Sequence, residues 1–455
     1  MALPAEADRE VRPPVVREEL AALFKLAGPV VIARLGVMAM GLSDALVVGR
    51  FSATQLGYHA LAWAPTSVML TMVIGLLIGV QVMTSRALGG GRRDVVGAVL
   101  RRGLSYSLWI GIASAVILAA GGPAFLHSIG LEPSLADGAS RPLVIFALSL
   151  PAISLSVAAS AWLEGLSKPV PAAWLMWAAN FVNLALDLLL VPGTFGLPAM
   201  GAVGGAWATF GGRMFLAATT LAYIALMPGA RALGVFDKPP RDRAAEAEQR
   251  RIGFGAGASN FFEVAAFAGM NIIAGWIGAL AVAAWAIMLN VVAIVFMVPL
   301  GLAAAATVRV GGAYGARDGQ AMMLRAHVAF GVTLVFGVAV SLLIWPAAGL
   351  IVSGYTRDAA TLALAGPALA LSCLFLIPDA MQVVVAQSLR ARGDVWPPTF
   401  THLASYILVM APLAWWLAIP KGYGVTGIVI AVIVASFLSA GLLLARFWML
   451  GRRGV

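Results

Sequence analysis

Apolar residues gather in twelve long stretches, at about residues 24 to 49, 55 to 82, 100 to 121, 139 to 165, 170 to 193, 202 to 227, 252 to 276, 281 to 308, 322 to 345, 359 to 389, 397 to 420 and 424 to 447. Short polar or Gly- and Pro-containing breaks separate them. A helix needs roughly 20 residues to cross a ~30 Å hydrocarbon core, and these stretches supply them. They lack the alternation of an outer-membrane barrel strand, so the pattern predicts an all-α integral membrane fold with twelve transmembrane helices.

The stretches form two tandem sets of six. A shift of 226 residues aligns Gly49 with Gly275, Ala60 with Ala286, Gly75 with Gly301, Gly89 with Gly315, Pro171 with Pro397 and Gly201 with Gly427. One constant offset from the first loop to the last carries weight that no single match in a Gly-rich chain would. Six is even, so both sets enter the membrane from the same side. Their pseudo-symmetry axis then lies along the membrane normal, and a substrate site is expected between the two six-helix lobes near the midplane. The expected organisation is a polar segment at 1–23, an N-lobe at 24–227, a charged linker at 228–251, a C-lobe at 252–447 and a tail at 448–455.

Composition agrees: 61% of the 455 residues are hydrophobic and 11% charged, too little polar surface to cover a soluble globule. A net charge of +10 would suit a nucleic-acid binder, but its placement points elsewhere. Arg86, Arg92, Arg93, Arg101, Arg102, Arg250, Arg251, Arg309, Arg317, Arg325, Arg390 and Arg392, with others, fall on one side of the predicted membrane, and Arg50, Arg141, Arg357 and Lys421 on the other. By the positive-inside rule both termini are cytoplasmic, and the charge is a topology signal with no nucleic-acid partner implied. The acidic N-terminus (Glu6, Asp8, Glu10) does not read as a signal peptide. Cys373 is the only cysteine, which excludes an intramolecular disulfide.

Four acids lie inside apolar stretches, several residues from either end: Asp44, Asp187, Glu263 and Asp379. An acid at membrane depth costs at least ~2.5 to 3.5 kcal/mol, so it marks an ion, proton or substrate site. Counting along the helices places Asp44, Asp187 and Thr209 at similar depth in the outer half of the first lobe. Asn183 precedes Asp187 by one turn and shares its face. These four are the candidate proton or cation cluster of the N-lobe. Glu263 and Asp379 fall near mid-bilayer in the second lobe, with Asn260 and Gln382 three residues away on matching faces. This oxygen-rich set suits a hard cation such as Na+, or pairing with a cationic substrate. The 226-residue shift superposes none of the acids on one another, so the fold is duplicated and the chemistry is not.

Two arginines, Arg34 and Arg213, also lie within spans; Arg34 either pairs with an acid, lines the cleft or snorkels to the interface. Pro29 interrupts hydrogen bonding early in the first span and is a candidate hinge. No HExxH motif and no Ser/His/Asp set occurs in the spans, so an enzyme is not expected.

The segments MGLSDALVVGRFSATQLG from Met40, NFVNLALDLLL from Asn180, ASNFFEVAAFA from Ala258, LNVVAIVFMVPLG from Leu289 and IPDAMQVVVAQSLRARGD from Ile377 resemble, in order, motifs of the multidrug and toxic compound extrusion (MATE) family, NorM-type bacterial branch. The resemblance covers about residues 18 to 447. It maps the family's first-helix aspartate to Asp44, its fifth-helix asparagine and aspartate to Asn183 and Asp187, its glutamate to Glu263, its tenth-helix aspartate to Asp379 and, through AWATF, a threonine to Thr209. What it implies is a monomeric two-lobed antiporter of the bacterial inner membrane, with a central cleft and no cofactor. Such a protein exports organic cations or drug-like molecules in exchange for H+ or Na+. Phe375 stands where many members of the branch have a tyrosine one turn before the aspartate, removing a hydroxyl ligand for Na+ and favouring H+. Arg34 replaces an uncharged polar residue typical of close relatives. A flippase for a lipid-linked precursor is the alternative, and it would require several basic groups facing the cleft.

Overall fold

The computed structural model describes residues 16–130, 132–237 and 242–451. Most of the polar N-terminal segment (1–15), four linker residues (238–241) and the tail residues 452–455 lie outside the described residues. The first lobe comprises α1 (Val16–Phe51), α2 (Ala53–Gly89), α3 (Val96–Ser128), α4 (Pro133–Leu148), α5 (Leu150–Gly165), α6 (Val170–Leu190) and α7 (Gly201–Leu226). The second comprises α8 (Arg243–Ile277), α9 (Ala279–Gly315), α10 (Gly319–Ser353), α11 (Ala359–Ala391), α12 (Trp396–His402), a π-helical segment (Leu403–Met410), α13 (Ala411–Ala418) and α14 (Gly424–Gly451). The pair α4–α5, bent by 40°, makes one span, and with it twelve spans are present among the described residues.

Helices outrun the apolar stretches where their ends are capped in water. Helix α8 begins at Arg243, inside the expected linker, because Asp242 accepts a hydrogen bond from the Ala245 amide at 3.0 Å. Asp318 and Asp358 cap α10 and α11 in the same way at 2.8 Å.

Two interruptions shape the interior. Pro151 follows the α4–α5 break, and its missing N–H leaves the Ala147 carbonyl without a helical donor. The Ser149 hydroxyl, which donates to the Phe146 carbonyl at 2.6 Å, sits at that bend. Pro412, just past the π segment, has no N–H to bond back into it, so the last donor into the segment is the Ala411 N–H on the Tyr406 carbonyl. Helix α1, by contrast, runs unbroken through Pro29.

The lobes meet at one end, rich in arginine. Arg86 at the end of α2 crosses to α11, donating from Nε to the Ala391 carbonyl at 2.9 Å and from Nη2 to the Arg390 carbonyl at 3.0 Å. It also approaches Glu248 of α8 at 3.4 Å and lies 4.9 Å from the Tyr314 ring centroid. Glu19 on α1 bridges Arg309 on α9 and Arg325 on α10. The backbones interlock there: any Cβ at Gly89 would collide with the Gly312 carbonyl, and one at Gly75 would lie 2.7 Å from the Gly257 Cα. Leu23, Leu26 and Ala27 of α1 are buried among α9, α10 and α11. Hydrogen bonds between the lobes reach the middle of α2 and α8, at Thr71 and Asn260, and among the described residues none lies beyond. The cleft between the lobes therefore opens toward the opposite end.

Candidate functional site

The N-lobe cluster comes together. Asp44, Asn183, Asp187 and Thr209 are at most 1% exposed, brought to one place by α1, α6 and α7. The Thr209 hydroxyl lies 2.6 Å from Asp44 Oδ2 and 3.1 Å from the Gly205 carbonyl. Its one proton serves one acceptor at a time. It donates to Asp44 when that carboxylate is ionised; when Asp44 is protonated it can turn to Gly205 and accept from the acid. Asp187 lies beside Asp44. Among the described residues, Asp44 Oδ1 and both Asp187 oxygens have no donor. Two buried carboxyl groups side by side, with Thr209 the one donor between them, lack what a proton would supply. Asn183 Oδ1 accepts from Ser43 at 3.3 Å, and its amide nitrogen has no partner.

His59, to which no role is assigned from sequence, belongs to this cluster. It is 4% exposed, and its Nδ1 has no partner. The Cβ position of Gly205 lies 3.4 Å from His59 Nδ1 and 3.7 Å from Asp187 Oδ1, so only the absent side chain lets these groups converge. An isolated His outside any motif gives no sequence signal of this.

Arg213 lines the same small cavity as Asp44 and Thr209, about 20 Å³ in volume. The α4–α5 bend supplies its partner: Arg213 Nη1 donates to Ser149 Oγ at 2.6 Å, and the guanidinium lies 5.4 Å from the Trp63 centroid. Arg34 lines an adjoining cavity of about 80 Å³ together with Gln81 and Glu164. Of the three readings of Arg34, the structure places it on a cavity that also holds an acid. Glu164 is 8% exposed, and its Oε2 accepts from Gln81 Nε2 at 2.8 Å. Counting along the apolar stretch puts Glu164 one residue from a helix end, where acids are ordinary, so it escapes sequence analysis. Val37, Leu70, Ile153, Met176 and Leu216 line both cavities, which are thus neighbours along the lobe interior.

In the C-lobe, Gln382 Nε2 donates to Glu263 Oε1 at 3.4 Å, joining α11 to α8, and Gln382 Oε1 is left without a partner. The Tyr406 hydroxyl donates to Asp379 Oδ1 at 3.3 Å from the π segment. The hydroxyl missing at Phe375, which is itself fully buried, is thus supplied from another helix. The Asn260 amide reaches across to the Thr71 carbonyl at 3.5 Å, beside the close approach of Gly75 to Gly257. Arg390, 2% exposed, faces the same interior with two nitrogens unpartnered. His402 pairs with Ser259 at 2.7 Å. Cys373 packs in its helix, its thiol 3.6 Å from the Leu369 carbonyl.

Twelve apolar spans in two lobes, closed at one end and holding separate buried carboxyl clusters, define a multi-pass membrane transporter. The MatE family model matches the chain twice, over residues 29–189 and 256–416. A probable multidrug resistance protein NorM of Caulobacter vibrioides is 60% identical across 96% of this chain and 93% of its own length. The chain belongs to the MATE family, in its NorM-type bacterial branch. The fold is that of the eukaryotic MATE transporter AtDTX14 (TM-score 0.87, 18% identity, 96% of this chain and 98% of that one). It is equally that of an outward-facing multidrug resistance MATE family transporter (TM-score 0.86, 18% identity, 96% of each).

Proposed function

We propose that this protein exports organic, mostly cationic, drug-like compounds across a bacterial inner membrane in exchange for protons, by alternating access and as a monomer. The observation that carries the proposal is the Asp44 and Asp187 pair, in which among the described residues only Asp44 Oδ2 has a donor, the two-way hydroxyl of Thr209. Relatives named as multidrug resistance proteins support the class of cargo. At about 20 Å³ the cavity beside Asp44 takes roughly one water and no drug, since drug-sized pockets run to roughly 300–1,000 Å³. The cargo is therefore taken in the cleft, with Glu263 and Asp379 as counter-charges, and the proton in the N-lobe interior. Na+ at Glu263 and Asp379 is the second choice of coupling ion. The Gln382 and Tyr406 oxygens favour it, and the buried Arg390 guanidinium on the same interior disfavours it.

The Arg-rich end is cytoplasmic by the positive-inside rule, which puts both termini there and makes the described arrangement outward-open. Proton uptake must bind the two arrangements unequally to drive exchange between them, with Pro29 as the hinge in α1. The flippase reading weakens because each span arginine already has company, Arg213 with Ser149 and Arg34 on the Glu164 cavity. The test is efflux of a labelled cationic dye from everted vesicles with H+ and Na+ gradients varied separately. A proton gradient alone should drive transport. Transport driven only by Na+ would move coupling to the C-lobe, and gradient-independent transport would reject exchange.

A further inference from the structure

A wide groove lies on the outer surface of the bundle where the lobes meet, between α1 on one side and α9 and α10 on the other, with a volume of about 1010 Å³. Phe24, Gly28 and Ile32 of α1 face Leu302 of α9 and Gly331 and Val335 of α10 across it. The groove is apolar apart from His327. It opens sideways, since Phe24, Ile32 and Val335 are 56%, 49% and 69% exposed.

Its length and its mouth point to one occupant. Along α1 the lining runs from Val16 to Ile32, roughly 24 Å at ~1.5 Å per residue. That matches the depth of one leaflet, about half of a 40–45 Å bilayer with headgroups included. At the Arg-rich end the lining residues Leu20 and Leu324 adjoin Glu19 and Arg325, where the single carboxylate of Glu19 faces the two guanidiniums of Arg309 and Arg325. A net positive charge remains at headgroup level. A groove one leaflet deep, apolar within and cationic at its mouth, fits a diacyl phospholipid with an anionic headgroup.

We propose that an anionic phospholipid binds this groove, with its acyl chains along α1 and α10 and its phosphate at the Arg309–Arg325 cluster. The two walls belong to different lobes, so the groove keeps its shape only while the Arg-rich end is closed. A lipid seated there binds the two arrangements unequally and favours the one described.

The test is lipid retention by the purified full-length protein, read by native mass spectrometry after back-titration with phosphatidylglycerol or phosphatidylcholine. Phosphatidylglycerol should be held about fivefold more strongly, as one uncompensated arginine near the surface implies. Gly28→Trp combined with Gly331→Trp fills the groove from positions where a Cβ meets nothing within 4 Å, and should abolish that preference. Equal retention of both lipids, or an unchanged preference in the filled variant, would overturn the proposal. Should that variant not fold, a phosphatidylglycerol carrying a photoreactive acyl chain tests the wild type. Labelling concentrated on α1 between Phe24 and Ile32 supports the site, and labelling spread evenly over the outer helices refutes it.

Discussion

Arg86→Ala should loosen the closed end of the molecule, and the structure sets the size of the effect. Arg86 makes two charged-donor bonds to carbonyls at the end of α11, at 2.9 and 3.0 Å. Bonds of this kind contribute about 1.5 to 3 kcal/mol each. The contact with Tyr314 adds about 0.5 to 1 kcal/mol, and the half-buried pair with Glu248 less than that after screening, since Arg251 also holds Glu248 at 2.8 Å. Water that enters the gap recovers part of this, leaving about 3 kcal/mol, or a change of roughly 150-fold in the ratio of closed to open at the Arg-rich end. Spin labels at Arg92→Cys on the first lobe and Gln320→Cys on the second report that ratio by pulsed dipolar spectroscopy. The native Cys373 is 1% exposed and stays unlabelled. The variant should populate long distances that the wild type lacks, while Arg231→Ala, at an exposed position, should not. An Arg86→Ala distribution identical to wild type would refute the assignment of this contact as the closure between lobes.

Other expectations follow from single contacts. Gly89→Val places side-chain atoms against the Gly312 carbonyl, so the same labels should show the Arg-rich end unable to close, with overpacking of about 1 to 3 kcal/mol seen as a lower melting temperature. Ser149→Ala removes the partner of buried Arg213 and should destabilise by about 1 to 3 kcal/mol in thermal unfolding, whereas Ser149→Thr should recover most of it. Tyr406→Phe deletes the hydroxyl at Asp379; dye transport should then lose any stimulation by Na+ while its dependence on the proton gradient stays, and loss of proton dependence would place coupling in the C-lobe. Thr209→Val should impair proton-driven efflux by about tenfold, and Thr209→Ser should retain it, because only the hydroxyl can serve both protonation states of Asp44.

The spans are legible because a membrane helix must be apolar along its length, and the carboxyl groups because a charged residue at that depth is costly and stands out. Depth counting also puts Asp44, Asp187 and Thr209 at one level, and the structure joins them. What escaped depends on how helices face one another. Tyr406 reads as one more aromatic in an apolar run, and the π turn that aims it at Asp379 has no periodic signature. Asn260 shares a face with Glu263 by spacing, yet its amide reaches the Thr71 carbonyl of the other lobe. His59 and Glu164 enter the N-lobe interior from a motif-free position and from a helix end. Pro151 marks a bend at Ser149, but not that Ser149 meets Arg213 of another helix there.

If the N-lobe carboxyl pair holds the exchanged proton, the most direct measurement is proton release on cargo binding. Purified protein in weakly buffered detergent solution, titrated with a fluorescent organic cation such as ethidium, should release protons as the dye binds. Asp44→Asn and Asp187→Asn should each bind dye with no such release. Undiminished release from both variants would contradict the account.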